Sequence, residues 1–112
     1  MHEIGEAARS IGMTLGNLID PLVGARVIGD AEVAVRAVRN DSRAVEPGDV
    51  YVAVRGIRAD GHAFVAAAIE RGAAAIVVER QLDVAVPQVI VRDGAAALGI
   101  LIGRSLGAPA KA

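Results

Sequence analysis

Hydrophobic and polar residues along this chain follow the periods of short strands and helices in alternation. Residues 25–38 show a partial alternation of apolar and polar side chains around a Gly-Asp-Ala turn at residues 29–31. This pattern predicts β-structure with one buried face. Continuous apolar runs at residues 50–54, at residues 73–79 and within residues 87–93 predict buried strands. We therefore expect strand structure in four parts of the chain.

Three helices are predicted around these strands, and each begins at a side chain that can cap backbone N–H groups: Thr14, Asp60 and Asp93. Apolar residues recur at helical spacing after each cap. Those expected on the buried faces are Leu15, Leu18 and Ile19, then Phe64, Val65, Ala68 and Ile69, then Leu98, Leu101 and Ile102. Pro21 is expected to end the first helix, and Gly72 stands where the C-cap of the second belongs.

Strands that alternate with helices predict the α/β class, as a single small domain whose largely parallel or mixed sheet is flanked by helices. The length of 112 residues fits one domain. Aromatic residues make up only 2% of the chain, so the core must be built from Val, Ile, Leu and Ala. Residues 1–12 are interpreted as a leader before a second plausible start at Met13, and the Ala-rich end of the chain resembles a linker.

Composition removes several classes of function. With 12 basic and 13 acidic residues the formal charge is -1, which disfavours binding to nucleic acid or to an anionic membrane. Cysteine is absent, so disulfides, thiolate metal sites and a cysteine nucleophile are excluded. The apolar runs are shorter than the roughly 20 residues needed to cross a bilayer, and the acidic N-terminus does not fit a signal peptide. We therefore expect a cytoplasmic protein.

A polar cluster between the first two strand regions offers the best candidate binding groups. Asp41 can accept backbone N–H bonds, Ser42 can bond a ligand oxygen, and Arg43 can form a forked pair with a carboxylate or phosphate. A purely structural role is about equally consistent with the residues: Asp41 would stabilise the turn, Arg43 would pair with Asp41 or Asp49, and Ser42 would cap a loop. Farther along, Arg55 and Arg58 flank the next loop.

Catalytic and cofactor signals are weak by comparison. His62 is the histidine nearest to this cluster, but no third partner for catalysis is visible, so hydrogen bonding to the adjacent loop is the main interpretation. Neither a GxxxxGK[ST] phosphate loop nor a dinucleotide GxGxxG pattern is present. The residues alone therefore leave a binding role and a structural role open, and they indicate no resident cofactor or metal.

The order of the segments resembles a known family. NDSRAVEPGDVYVAVRG, at residues 40–56, is followed by IRADGHAFVAAAIERGAAAIVVE, at residues 57–79. This succession resembles the N-terminal domain of Mur ligases, which add amino acids to the UDP-linked muramoyl peptide of peptidoglycan. The resemblance covers residues 13–108, and the Asp-Ser-Arg triplet favours the MurE type, which extends UDP-MurNAc-L-Ala-D-Glu.

The resemblance implies a site as well as a fold. In the family this domain holds the UDP end of the substrate. By position, the contacting residues would be Asn40, Ser42, Ile57, Arg58 and Ala59. Supporting candidates are Asp41, Arg43, Arg55 and His62. The uridine and diphosphate would be bound through side-chain and backbone hydrogen bonds at the ends of adjacent strands.

The same resemblance places ATP, Mg²⁺ and the GTNGKT phosphate loop in a central domain, to which residues 109–112 would lead. We therefore expect this chain to be inactive by itself, with the central and C-terminal ligase domains as its partners. Two further hypotheses remain open: a stand-alone nucleotide-sugar-binding or regulatory protein, and a protein-interaction module whose nucleotide site has decayed.

Overall fold

The computed structural model describes residues 13–56 and 59–107, which form a layered α/β domain. The predicted leader at residues 1–12 and linker at residues 109–112 lie outside the described residues. In chain order the elements are β1 (Met13–Thr14), α1 (Leu15–Ile19), β2 (Arg26–Ile28), β3 (Ala34–Val35), β4 (Val38–Arg39), a first 3₁₀ turn (Ser42–Ala44), β5 (Val50–Val52), a second 3₁₀ turn (Gly61–Phe64), α2 (Val65–Glu70), β6 (Ala75–Val78), β7 (Gln88–Ile90) and α3 (Gly94–Gly107).

The main sheet has five strands in the order β2-β7-β6-β5-β4. The four strands β4 to β7 are mutually parallel, whereas β2 is antiparallel to β7 at one edge. A separate two-stranded antiparallel sheet joins β1 to β3. The prediction of a largely parallel or mixed sheet flanked by helices is confirmed, and the carboxyl ends of β4 to β7 all meet at one edge of the sheet.

Alternation along the central strands divides the core between the two faces of the sheet. Val50 and Val52 pack on one face with α1 and α3, while Tyr51 and Ala53 pack on the other face with α2. All four side chains are buried. Because Val, Ala and Ile supply most of this core, the helices lie close to the sheet without many aromatic side chains.

The predicted caps are present. Thr14 Oγ1 accepts from the Asn17 backbone at 3.1 Å, Asp60 caps the second 3₁₀ turn, and Asp93 accepts from two backbone N–H groups of α3. Gly72 has a φ of +103°, a conformation that favours glycine, and its N–H bonds the Ile69 carbonyl after α2. Local hydrogen-bonding groups therefore set the ends of these helices as expected.

The β-structure predicted across residues 25–38 divides differently from a simple strand-turn-strand pattern. β2 pairs with β7, β3 pairs with β1 in the small sheet, and β4 joins the main sheet. The chain changes sheets at Arg36, whose N–H bonds the Gly48 carbonyl at 2.8 Å. Residues 25–38 thus contribute strands to both sheets, because the hydrogen-bonding partners of the chain change at Arg36.

The prediction that Phe64 and Ile102 lie on buried helix faces is wrong. Phe64 is 44% exposed and Ile102 is 38% exposed. α3 packs through Ala97 and Leu101, four residues apart on one side, which turns Ile102 toward solvent. Phe64 closes the second 3₁₀ turn before α2 begins, and the buried positions of α2 are Val65 and Ala68.

Candidate functional site

A pocket of about 640 Å³ opens at the carboxyl ends of β4 and β5, and we call it the β4–β5 pocket. Its polar wall is formed by residues 40–43. Its apolar wall is formed by Tyr51, Val54, Ala59, Gly61, Phe64 and Ala67. Ligands of open α/β sheets bind at this edge, because loops from adjacent strands converge there.

The polar wall is shaped by the first 3₁₀ turn. Asp41 adopts an extended conformation and caps this turn, with its Oδ1 accepting from the Arg43 backbone N–H at 2.9 Å. Asn40 precedes the cap, and Ser42 begins the turn. The structure thus brings together four residues that the sequence singled out, and Ala59, a fifth, lines the same pocket.

Arg43 also forms a forked ion pair with Asp41 on this wall. Its Nε lies 3.0 Å from Oδ1 and its Nη2 lies 2.9 Å from Oδ2. The hydrogen bonds from Arg43 lower the pKa of Asp41 to about 2, and the same pair raises the pKa of Arg43. A guanidinium has five N–H donors, so an 88% exposed Arg43 keeps donors for a ligand anion.

We expect Asp41 to titrate with a midpoint near pH 2 in a ¹³C NMR titration of its carboxyl carbon. Because its folded pKa lies below the ordinary value of 3.8, the pair stabilises the fold above that value. This stabilisation is lost as the pH falls toward 2. Arg43→Gln should return the midpoint toward 3.8; an unchanged midpoint in that variant would contradict the pairing.

The apolar wall is held by backbone and tyrosine hydrogen bonds. The Tyr51 hydroxyl donates to the Gly61 carbonyl at 2.8 Å, and the Gly61 N–H donates to the Val54 carbonyl at 2.9 Å. Burial raises the pKa of Tyr51, so its hydroxyl remains a neutral donor. A further bond of 2.8 Å joins the Gly56 N–H to the Ala59 carbonyl.

Two predicted contact residues, Ile57 and Arg58, lie outside the described residues. Arg55 is placed elsewhere: its Nε lies 3.1 Å from Glu79 Oε1, and both residues line a separate depression of about 480 Å³. The second carboxylate oxygen of Glu79 accepts from the Gly94 N–H at 2.7 Å, at the start of α3. Arg55 therefore does not line the β4–β5 pocket.

His62 is the buried residue of the second 3₁₀ turn and does not line the pocket. Its Nδ1 lies 2.6 Å from Asp60 Oδ1, while its Nε2 accepts from the Glu79 backbone N–H at 2.8 Å. These contacts assign the proton of a neutral ring to Nδ1. Hydrogen bonds from His62 lower the pKa of Asp60. The structure thus shows the loop-bonding role that the sequence favoured for His62.

Sequence reasoning missed the apolar wall, apart from Ala59, and one buried acid. Tyr51 was part of a buried strand and Phe64 part of a helix face, and no local pattern marked either as a pocket residue. Asp49 was considered as a partner for Arg43, but its carboxylate instead pairs with Arg36 at 2.7 Å and Arg39 at 2.9 Å. An acid directly before a buried strand, with arginines upstream, was the available signal.

Neither metal-binding nor membrane-spanning features occur in residues 13–56 and 59–107. These residues contain no group of three or more His, Asp or Glu side chains arranged to hold a metal ion. Within the same ranges, no helix has the length and apolarity needed to cross a bilayer.

Comparisons with known proteins agree on one family. The model described as "Mur ligase family, catalytic domain" matches residues 34–105. UDP-N-acetylmuramoyl-L-alanyl-D-glutamate–2,6-diaminopimelate ligase from Geobacillus thermodenitrificans is 42% identical over 97 residues, which cover 87% of this chain and 20% of the relative. The ligase of the same name from Parabacteroides distasonis is 40% identical, over 88% of this chain and 21% of the relative.

A solved structure, MurF from Acinetobacter baumannii, superposes with a TM-score of 0.69 at 31% identity, over 86% of this chain and 22% of MurF. This chain thus spans about a fifth of the length of the proteins it matches. The family model covers well over half of the chain, and these relatives include ligases of the MurE type. The chain therefore belongs to the Mur ligase family, as an N-terminal domain.

Proposed function

We propose that this domain binds the UDP end of UDP-MurNAc-L-Ala-D-Glu and anchors that substrate for a peptidoglycan-precursor ligase. The observation that carries the proposal is the β4–β5 pocket, which is lined by residues 40–43 together with Ala59. Sites of this kind join apolar walls to a few placed polar groups, as nucleotide binding requires.

The polar wall has the groups that a nucleoside diphosphate needs. Ser42 provides a hydroxyl and Asn40 an amide, each able to donate and accept hydrogen bonds. Arg43 provides the positive charge for phosphate oxygens, and its pairing with Asp41 holds the guanidinium at the pocket wall. Ile57 and Arg58, which directly precede Ala59 in the sequence, would add further contacts.

We assign the ATP-dependent ligase reaction to a longer protein of which this domain would be a part. Diaminopimelate ligases are the named relatives of this chain, and the chain spans about a fifth of their length. We place ATP, Mg²⁺ and the phosphate loop in the central domain, with the C-terminal domain completing the ligase. The domain alone would then bind substrate without forming the acyl phosphate. A cytoplasmic location and the lack of nucleic-acid partners remain predictions from composition.

We expect the isolated domain to bind UDP weakly, with a Kd in the high micromolar to millimolar range, equivalent to about 4 to 6 kcal/mol. Ser42→Ala should weaken binding by about 1 kcal/mol, or about fivefold, because one hydrogen bond is lost. NMR titration with UDP measures this change.

A serine outside the pocket supplies the matched control. Ser105 lies on α3, where its hydroxyl bonds the Ile102 carbonyl at 3.0 Å. Ser105→Ala should bind UDP as the parent chain does. If Ser42→Ala also binds with the parent affinity, the assignment of Ser42 to the ligand is wrong.

A further inference from the structure

The β4–β5 pocket is lined by two groups of residues with different chemistry. Residues 40–43 are polar or charged, whereas Val54, Phe64 and Ala67 are apolar. A nucleoside diphosphate has the same division, with a flat base at one end and a charged diphosphate at the other. The match therefore suggests one orientation of the ligand, with the diphosphate toward Arg43.

Phe64 is the residue on the apolar wall that can present an exposed aromatic surface. Its side chain is 44% exposed, whereas the neighbouring Val65 is buried at 3%. Exposure of one apolar side chain is common on protein surfaces and carries no inference by itself. Here, however, the exposed ring and the charged groups line the same pocket.

Tyr51, the other aromatic residue of this wall, has a different role. Its side chain is only 1% exposed, and its hydroxyl is bonded to the Gly61 carbonyl. Tyr51 thus supports the wall from beneath and offers little surface to a ligand. The chain contains one phenylalanine and one tyrosine, so these two roles account for all its aromatic side chains.

We propose that Phe64 stacks against the base of the bound nucleotide and so orients the diphosphate toward Arg43. The proposal rests on the proposed function and specifies which residue recognises the base. Stacking on an aromatic side chain is open to every base through its π-face, so the hydrogen-bonding groups of Asn40 and Ser42 would have to supply the preference for uracil over adenine. Phe64 is thus a positioning residue for the nucleotide.

Intermolecular NOEs test this contact directly on the 112-residue chain saturated with UDP. Because Phe64 is the only phenylalanine, its ring protons are identified without ambiguity. The proposal predicts NOEs from this ring to H5 and H6 of uracil. NOEs from the ring to the ribose alone, or none while UDP is bound, would overturn it.

Variants give an independent readout. Phe64→Leu keeps an apolar side chain but removes the aromatic face. It should lower the affinity for uridine and for UDP by a similar factor of about ten. Arg43→Gln should lower the affinity for UDP more than the affinity for uridine, because only UDP carries the diphosphate. Ile100→Ala is the matched control, since Ile100 is also 44% exposed but lines a different pocket.

The outcomes separate the two proposals. If the parent chain binds UDP, and the Phe64→Leu variant binds UDP and uridine with Kd values within twofold of those of the parent, the stacking assignment is wrong and the proposed function stands. If the folded parent chain binds neither UDP nor uridine, the proposed function itself is contradicted, and the assignment of Phe64 falls with it.

Discussion

Asp49→Asn is expected to lower the free energy of unfolding by about 3 kcal/mol, because it removes the charge that several donors share. The Asp49 side chain is fully buried and accepts from Arg36, Arg39 and the backbone N–H groups of Ala37 and Glu46. Loss of a partner from a fully buried ion pair costs about 3 to 5 kcal/mol. Both arginines are about one third exposed, so water can partly replace the lost contacts, and the lower value is expected.

Urea unfolding followed by circular dichroism measures this change, because a domain of this size is expected to unfold in one cooperative transition. Asp83→Asn is the matched control, since Asp83 is exposed on the loop before β7. Its transition should stay close to that of the parent chain. If the urea transition of Asp49→Asn coincided with that of the control, the charge of the buried carboxylate would contribute little to the stability of the fold.

Gly61→Ala should destabilise the domain by about 1 to 3 kcal/mol and weaken UDP binding, because the added methyl group has no room. A Cβ on Gly61 would lie 2.6 Å from the Val54 nitrogen and 2.8 Å from the Val54 oxygen. These are backbone atoms, which cannot move aside as a flexible side chain can. Gly61 and Val54 both line the β4–β5 pocket, so the displacement would reach the ligand.

Gly99→Ala provides a control with the opposite sign. Gly99 lies inside α3, and a Cβ there would meet no heavy atom within 4 Å. Alanine is favoured over glycine in a helix interior by about 0.8 to 1.0 kcal/mol, so this variant should be more stable than the parent. Equal stability of the Gly61→Ala variant and the parent chain, by urea unfolding, would contradict the close contact with Val54.

The fold was predictable from the sequence where one local signal decides the structure. Thr14, Asp60 and Asp93 cap their turns or helices, and the apolar run that contains β5 became a central strand. The division of residues 25–38 between two sheets was not predictable. It depends on pairing with Met13 and Ile90, which are distant in sequence and leave no local pattern.

The candidate site was predictable on one side only. Asp41, Ser42 and Arg43 are clustered in sequence, so the residues themselves drew attention to the polar wall. Phe64 and Tyr51 belong to apolar patterns that are typical of a core, and only the packed structure shows that they line a pocket. The partnership of Asp41 and Arg43 was one of the structural alternatives, and it places the guanidinium at the pocket wall.

Substrate binding in the β4–β5 pocket is the central claim, and NMR titration of the ¹⁵N-labelled chain tests it most directly. The ligands are UDP-MurNAc-L-Ala-D-Glu and UDP, with ADP as the control. The account predicts that both UDP compounds shift the amide signals of residues 40–43 and of Ala59, and that ADP shifts them much less. A folded spectrum that responds to none of the three, or that shifts only outside these residues, would contradict it.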